Sequence, residues 1–346
     1  MKNKYSFIIL GTGISSLSMA HWLSQKYPND SILLADIHEK FYGASSKNAG
    51  FLTVGSFHFF NKMAQEKGLS TATELLQFCQ TNHDLLFNAG FLDDSVEYKK
   101  DGSYTVTSSA PNMSQEFFKK IPAPIAIKGH EFCHHYALDG SCHPQKLLNK
   151  IFKSLSVDLV ENAKISFDLK NLTINDQTLA YDKLFVTTNA WLNQILPTPL
   201  VSPQRAQILK TKPTRDFILK GNFYFSDHLI YLRQNKAGQI IVGGLRTLDA
   251  ETEATDQLGT NTKIQNALLQ FVKDRLSKNL ELAEAWSGIM GFTENHLPCA
   301  GQYQESSTYF MGGFSGHGMG MAFHLAKRLV DSLENPNALP KLFTLS

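Results

Sequence analysis

The stretch Phe7-Ile-Ile-Leu-Gly-Thr-Gly-Ile-Ser-Ser-Leu-Ser-Met-Ala-His-Trp-Leu limits what this chain can fold into more than any other. An apolar run, a glycine turn and a helical pattern follow one another within the first 23 residues. Gly11 permits a tight turn at the end of a buried strand. Gly13 lets the backbone approach a pyrophosphate at the positive end of the next helix, whose first turn carries Ile14 and Ser15. Ser16 stands where a third glycine is usual; that glycine serves close helix-strand packing, so a serine narrows the room without abolishing the site. A second apolar strand, Ser31-Ile-Leu-Leu-Ala-Asp36, ends in an acid 23 residues beyond Gly13, where a ribose-binding carboxylate is expected. Alone, the turn and the acid are ordinary features; in this order they predict an α/β dinucleotide site.

A chain of 346 residues is long enough for two domains or one elaborated α/β domain. Its 33 basic and 31 acidic residues nearly balance and form no long run of one sign, so the partner is a small molecule rather than nucleic acid or an anionic membrane. Lys2 and Lys4 before an apolar stretch imitate a secretory leader, but the glycine turn and acid-ended strand fit a folded nucleotide site better. No apolar run approaches the roughly 20 residues of a membrane span. Cys79, Cys133, Cys142 and Cys299 form no CxxC pattern, which fits reduced thiols and a cytoplasmic protein. Nothing in the pattern sets an oligomeric state.

The segment from Tyr42 to Phe51 is a loop of small residues, hydroxyls and one cation. Ser45, Ser46, Lys47, Asn48, Ala49 and Gly50 suit a second grip on the dinucleotide, although a flexible connector has the same composition. Helical spacing from Phe57 to Ala89, as in Leu75, Leu76, Phe78, Leu85 and Leu86, predicts two helices that cover the sheet or open a second domain. A boundary is expected near residue 90, followed by strands at Tyr104-Thr-Val-Thr, Ile125-Ala-Ile and Phe132. Cys133, His134, His135, Cys142 and His143 carry zinc's preferred donors but match no tetrahedral spacing, so no metal is expected. Asp139-Gly140 reads as a turn, and His143-Pro144 as the start of a helix from Gln145 to Leu155.

Short strands at Val157–Val160, Ile165–Leu169 and Leu172–Ile174 lead into Lys183-Leu-Phe-Val-Thr-Thr-Asn-Ala-Trp, where the nucleotide domain resumes with Asn189 and Trp191. Antiparallel strands are expected around Phe223–Phe225, Ile230–Leu232 and Gln239–Val242, followed by an amphipathic helix from Lys263 to Leu276. After Trp286–Gly301 come a strand, Tyr309-Phe-Met, and Gly312-Gly-Phe-Ser-Gly-His-Gly-Met-Gly-Met-Ala, which opens the last helix. Gly312, Gly313, Gly316 and Gly318 bare the backbone there for something flat or charged at a helix N-terminus. The domains are thus expected at 1–90, 140–200 and 285–346 for the dinucleotide, and at 91–139 and 201–284 for the substrate.

In order along the chain, seven motifs carry a family likeness: the Gly11–Ser16 turn, the Gly-Ala-Ser-Ser-Lys-Asn-Ala-Gly loop, Thr188-Asn-Ala-Trp, Pro203-Gln-Arg-Ala-Gln, Gly238–Gly244, Trp286–Gly301 and Gly313-Phe-Ser-Gly-His-Gly. With them the chain resembles the D-amino acid oxidase, glycine oxidase and sarcosine oxidase superfamily of FAD-dependent amine oxidoreductases. The resemblance implies a Rossmann-like FAD-binding domain of the glutathione-reductase type, interleaved with an α+β substrate domain on a mainly antiparallel sheet. It implies Asp36 at the adenosine ribose, Gly11, Gly13 and Ser45–Lys47 at the pyrophosphate, and Gly316, His317, Gly318 and Met319 at the flavin's pyrimidine edge. His317 is then a candidate for stabilising charge on reduced flavin, with a structural loop role as the alternative.

The departures bear on the substrate. Met290 stands where amino-acid oxidases of the superfamily carry a carboxylate-binding arginine and monomeric sarcosine oxidases a flavin-tethering cysteine. Gly316 stands where glycine oxidases carry another arginine. Noncovalent FAD follows, and a free amino acid gripped by that arginine pair is disfavoured. The oxygen-activating lysine of sarcosine oxidases falls on Gln239–Gly244, which offers Ile240, Ile241 and Val242 instead, so oxygen as acceptor is in doubt. Arg205, Tyr231, Arg233 and Arg246 remain to orient a polar substrate, or serve only as ion-pairing and packing residues. The resemblance points to oxidation of a C–N bond in a small amine or N-substituted amino acid, nearest the γ-glutamylputrescine oxidase branch. A nicotinamide-dependent dehydrogenase and a non-catalytic flavin-binding subunit are the alternatives.

Overall fold

The computed structural model describes residues 1–107, 118–123 and 132–345. The chain divides into two compact units: residues 1–46, 145–204 and 289–346 form the first, and 47–144 and 205–288 the second.

The first unit is built on a sheet whose strands run in the order Cys299–Gln302, Thr308–Gly312, Gln177–Val186, Lys4–Leu10, Ile32–Ala35, Asp158–Val160. All neighbours are parallel except the outermost pair, Cys299–Gln302 with Thr308–Gly312. Parallel strands are covered on both faces, which is why Phe7–Leu10 is apolar without alternation. Ile8 and Leu10 pack on one side with Leu33, Leu184, Val186, Leu192 and Phe310. A small meander, Ile165–Phe167 and Leu172–Ile174, pairs antiparallel onto Gln177–Val186.

The second unit holds the strands Leu282–Phe292, Ser202–Thr211, Ile240–Gly244, Ile230–Gln234, Asn222–Phe225, Ser103–Val106, Phe132–Tyr136 and Lys119–Pro122, in that order. The pairs around its centre are antiparallel, apart from the parallel pair Asn222–Phe225 with Ser103–Val106. The helix Thr262–Arg275 lays Ile264, Leu268 and Val272 on one face of this sheet, against Leu209, Phe223, Leu232 and Val242. The expected strand Ile125–Ile127 lies outside the described residues.

Two expectations differ from the structure. Residues 47–90, placed by their pattern with the dinucleotide half, belong to the second unit. Phe51–Leu52 pairs with Gly140–Ser141, the Phe57 N–H donates to Thr105 Oγ1, and the Phe57 ring stacks on His134 at 4.2 Å. These contacts tie the two helices Phe57–Lys67 and Leu69–Asn88 to the antiparallel sheet. Periodicity showed the helices but not which sheet they cover.

Asp139-Gly140 is not a turn. The turn falls at Ala137–Leu138, Gly140 opens a strand, and Asp139 points inward at 2% exposure. Its carboxyl accepts from the Val54 N–H and the Ser103 hydroxyl. Burial lifts its pKa from the usual 3.8 to about 7, against those two hydrogen bonds. Between these values the folded protein holds a proton that the unfolded chain releases, so stability falls as pH rises through the window. At about 1.4 kcal/mol per unit the loss is on the order of 4 kcal/mol. Asp139→Asn reproduces the protonated form and keeps an acceptor for Val54 and a group for Ser103. Its melting temperature should match wild type near pH 3, below both values, and exceed it increasingly up to pH 8; identical pH slopes for the two proteins would contradict the assignment.

Candidate functional site

The first strand ends at Leu10, and the chain turns at Gly11 with φ +111° before the helix Ile14–Lys26. A side chain at Gly11 would be strained, and its Cβ would meet the Ser16 hydroxyl at 2.8 Å. That hydroxyl lies 2.8 Å from Thr187 Oγ1, which gives its own proton to Leu10 O, so Ser16 donates into the strand beneath it. The serine therefore performs the packing task of the usual third glycine. Ser15 is buried in the same turn, and the Ile14 N–H donates to Ser45 Oγ at 2.9 Å. No side chain at the N-cap residue Gly13 caps this helix, and its first turn holds no acid. Its positive end is thus left for an anion.

Asp36 ends the second strand as expected. One carboxylate oxygen takes the Thr12 hydroxyl at 2.7 Å and the other the His38 N–H at 3.0 Å. Each oxygen keeps a second acceptor position. Thr12 is a functional residue the motif reading passed over: its buried oxygen also takes the Phe41 N–H, so one hydroxyl fixes both the acid and the following loop. The only signal for it was its place between the two glycines. Ser46 donates to Gly43 O, and Gly43 lies beside the Trp191 ring.

In the closing segment, Asn189 Oδ1 accepts from the Gly313 N–H at 3.0 Å and the Phe314 N–H at 3.4 Å. The Ser315 N–H donates to Gly291 O at 2.8 Å. A Cβ on Gly316 would stand 3.4 Å from Met290 Sδ, so the two departures from the family pattern are neighbours. His317 precedes the helix Gly318–Asp331, and burial pushes its pKa down to about 4 against a hydrogen bond at the Ser315 backbone. With that pKa the imidazole is neutral at neutral pH. This second helix also has no acid in its first turn and no cap from its N-cap side chain, and Met319 is buried in that turn.

The two helices lie side by side and point the same way. A Cβ on Gly318 would be 4.0 Å from Ile14 Cγ2; further along, Trp22 Nε1 donates to Phe323 O at 2.8 Å; at the far ends Glu334 meets Lys26 and the Tyr27 hydroxyl. Both helices leave the carboxyl edge of parallel strands, the place where open α/β sheets bind ligands. Two positive helix ends without an acid in their first turns therefore lie together, with Gly13 and Gly318 beside them.

The other candidates lie in the second unit. Lys47 O accepts from Trp286 Nε1, and Asn48 Oδ1 accepts from the Gly50 N–H. Ala49 O and Cys142 O both accept from Arg233, which is 7% exposed. Arg205 is spent on Glu253, a fully buried carboxylate 2.9 Å away, and on two backbone carbonyls. Burial alone would raise Glu253, but hydrogen bonds from Arg205, Gln207 and Asn261 outweigh it and hold the carboxyl below its usual range. Arg205 is thus the ion-pairing residue of its two readings. Arg246 is half-buried, and burial lowers its pKa. The Tyr231 ring lies over Gly243 and meets Phe51 edge-on at 5.7 Å. Cys133, His134 and His135 follow one another on a single strand, so the middle residue faces away from the other two. Among the described residues no group of three or more His, Cys, Asp or Glu could hold a metal, and no helix is long and apolar enough to cross a membrane.

No curated protein matches this sequence. Among solved structures the chain is similar to glycine oxidase from Geobacillus kaustophilus, with a TM-score of 0.81 and 15% identity over 100% of this chain and 99% of that one. It is similar to L-proline dehydrogenase from P. horikoshii, with a TM-score of 0.79 and 16% identity over 99% and 96%. It is also similar to iminodiacetate oxidase from Chelativorans sp. BNC1, with a TM-score of 0.76 and 14% identity over 98% of each chain. The model of the family described as FAD dependent oxidoreductase matches residues 6–332, nearly the whole chain. The protein with two acid-free helix ends at one edge of its parallel sheet belongs to the FAD dependent oxidoreductase family, and FAD is its cofactor.

Proposed function

We propose that the protein holds FAD without a covalent link and oxidises the C–N bond of an amine or N-substituted amino acid. The observation that carries this reading is the meeting of two like-signed helix ends, with no acid in either first turn, beside Gly13 and Gly318. The first turn of the opening helix would take the pyrophosphate, with Gly11, Gly13, Ser45 and Ser46 around it. Asp36 would take the ribose through its spare acceptor positions. The closing helix end, from Gly316 to Met319, would face the negative pyrimidine edge. Asn189 holds that closing loop in place through the Gly313 and Phe314 N–H groups.

FAD, when bound, supplies an acceptor for the hydride on the carbon that bears nitrogen; the substrate also loses a proton, and water then hydrolyses the imine. The chain's own contribution is position and field. Two helix ends favour negative charge where it develops, and neutral His317 can donate an N–H but brings no cation. Met290 and Gly316 give their shared spot neither charge nor nucleophile, which supports a noncovalent flavin and a substrate held from elsewhere.

The purified protein should be yellow, and acid precipitation should leave the flavin in the supernatant; a colourless protein that takes up no added FAD contradicts the reading. Anaerobic addition of a panel of amines and N-methyl amino acids should bleach the bound flavin without nicotinamide, and failure of every compound contradicts a catalytic role. The helix-end field has its own test. Gly318 has room for a side chain, since a Cβ there makes only ordinary contacts. Gly318→Glu should bind FAD about tenfold more weakly than the isosteric Gly318→Gln, the upper range for a charge at a partly buried helix end. Equal affinities in a flavin-fluorescence titration would rule out that field.

A further inference from the structure

The helix Phe57–Lys67 meets the antiparallel sheet at two buried titratable side chains, both at its entrance. Val54, three residues before it, gives its N–H to Asp139 Oδ1 at 2.8 Å. The Phe57 ring, in the first turn, lies flat on the His134 imidazole at 4.2 Å, and the Phe57 N–H donates to Thr105 Oγ1 at 3.1 Å. Thr105 stands opposite His134 in the paired strands Ser103–Val106 and Phe132–Tyr136. Glycines in the left-handed region bound the helix, Gly55 at φ +134° and Gly68 at φ +90°. Such hinges let the helix leave the sheet as one piece.

Both groups are disfavoured as ions while the helix is docked. Asp139 is 2% exposed, and its carboxyl accepts from two neutral donors, the Val54 N–H and the Ser103 hydroxyl. The titratable groups around it, Cys79, Tyr98 and Tyr136, are kept protonated by burial and bring no cation. His134 is 7% exposed, and both ring nitrogens are buried without a hydrogen-bond partner. Among the described residues the charge that bears on it is Lys120, opposite it on the strand Lys119–Pro122, which repels an imidazolium. Cys133 and His135 project from the other face of its strand, and His58 on the helix is exposed. Burial therefore lifts Asp139 to about 7 and, with Lys120, pushes His134 below the usual 6.5.

We propose that docking of the helix Phe57–Lys67 is a compensated proton exchange: docked, Asp139 keeps a proton and His134 has none; undocked, Asp139 gives its proton to water and His134 takes one up. Water that reaches the opened entrance solvates both ions. One proton leaves and one arrives, so net uptake is zero and docking holds equally across mildly acidic pH. Neither group achieves this alone. A solvated carboxyl ionises near 3.8, so Asp139 by itself eases undocking as pH rises from there towards 7. A solvated imidazole ionises near 6.5, so His134 by itself eases undocking as pH falls below that value. The two slopes oppose each other from roughly pH 4.5 to 6.

Hydrogen exchange read by mass spectrometry on the FAD-loaded protein, corrected for the intrinsic rate at each pH, measures the opening of residues 57–67. Over that interval the wild-type opening constant should stay within about twofold. In His134→Phe, whose ring can still lie on Phe57, opening should increase with pH by up to about tenfold per unit, the slope of one proton. In Asp139→Asn it should increase as pH falls, and the double variant should be flat again. A wild-type slope as steep as that of His134→Phe, or single variants both as flat as wild type, overturns the exchange. If a variant fails to fold, wild type alone still decides: a full one-proton slope contradicts the compensation. Peptides from Ile240–Gly244, in the same sheet, should show none of these slopes. The same slopes there would mean that the two groups act on global unfolding, and would overturn the docking claim as well.

Discussion

Two helices that lie parallel with their N-termini together place like charges side by side. That arrangement opposes itself electrostatically, because about half a positive charge sits at each end. Packing enforces it here: Trp22 donates to Phe323 O and meets its ring, tilted, at 4.9 Å, and Glu334 ties the far ends together. The chain does not relieve the repulsion with its own acids, since neither first turn contains one. In the proposed function an anionic, flat ligand does what an acidic side chain would otherwise do. The parallel strands, the Gly11 turn and the Asn189 clamp all serve to bring these two ends to one edge of the sheet.

The second unit faces the opposite demand. There the buried charges are cations and acids that must be met one by one. Arg205 and Glu253 meet each other, with Gln207 and Asn261 completing the carboxylate. Burial raises the Asp139 pKa to about 7 against its two neutral donors. Among the described residues Arg233 donates to carbonyls. A complete pair stabilises the fold, and a neutralised acid makes stability depend on pH. The same physics sorts the three into different roles by what stands beside them.

Much of the first unit was legible because its signals are local. A strand, a glycine turn, a helix and an acid follow one another within 36 residues, although the turn alone did not show that Ser16 reaches Thr187. What stayed hidden depends on distant partners. Nothing near Asp139 says that its carboxyl turns inward to Val54 and Ser103, and an Asp-Gly pair has the composition of a turn. The helices between 57 and 88 have clear periodicity, but periodicity carries no information about which sheet lies beneath. Arg233 and Arg205 look alike in the chain; only their neighbours separate the arginine that has a carboxylate from the one that does not.

The account stands on the claim that both helix ends face one ligand edge. The direct measurement is a crystal structure of the FAD-loaded protein. It should place the pyrophosphate against the backbone N–H groups that follow Gly13, and the flavin's pyrimidine edge against those that follow His317. Density for the ring system at any other part of the chain, with these two helix ends facing only water, would contradict it.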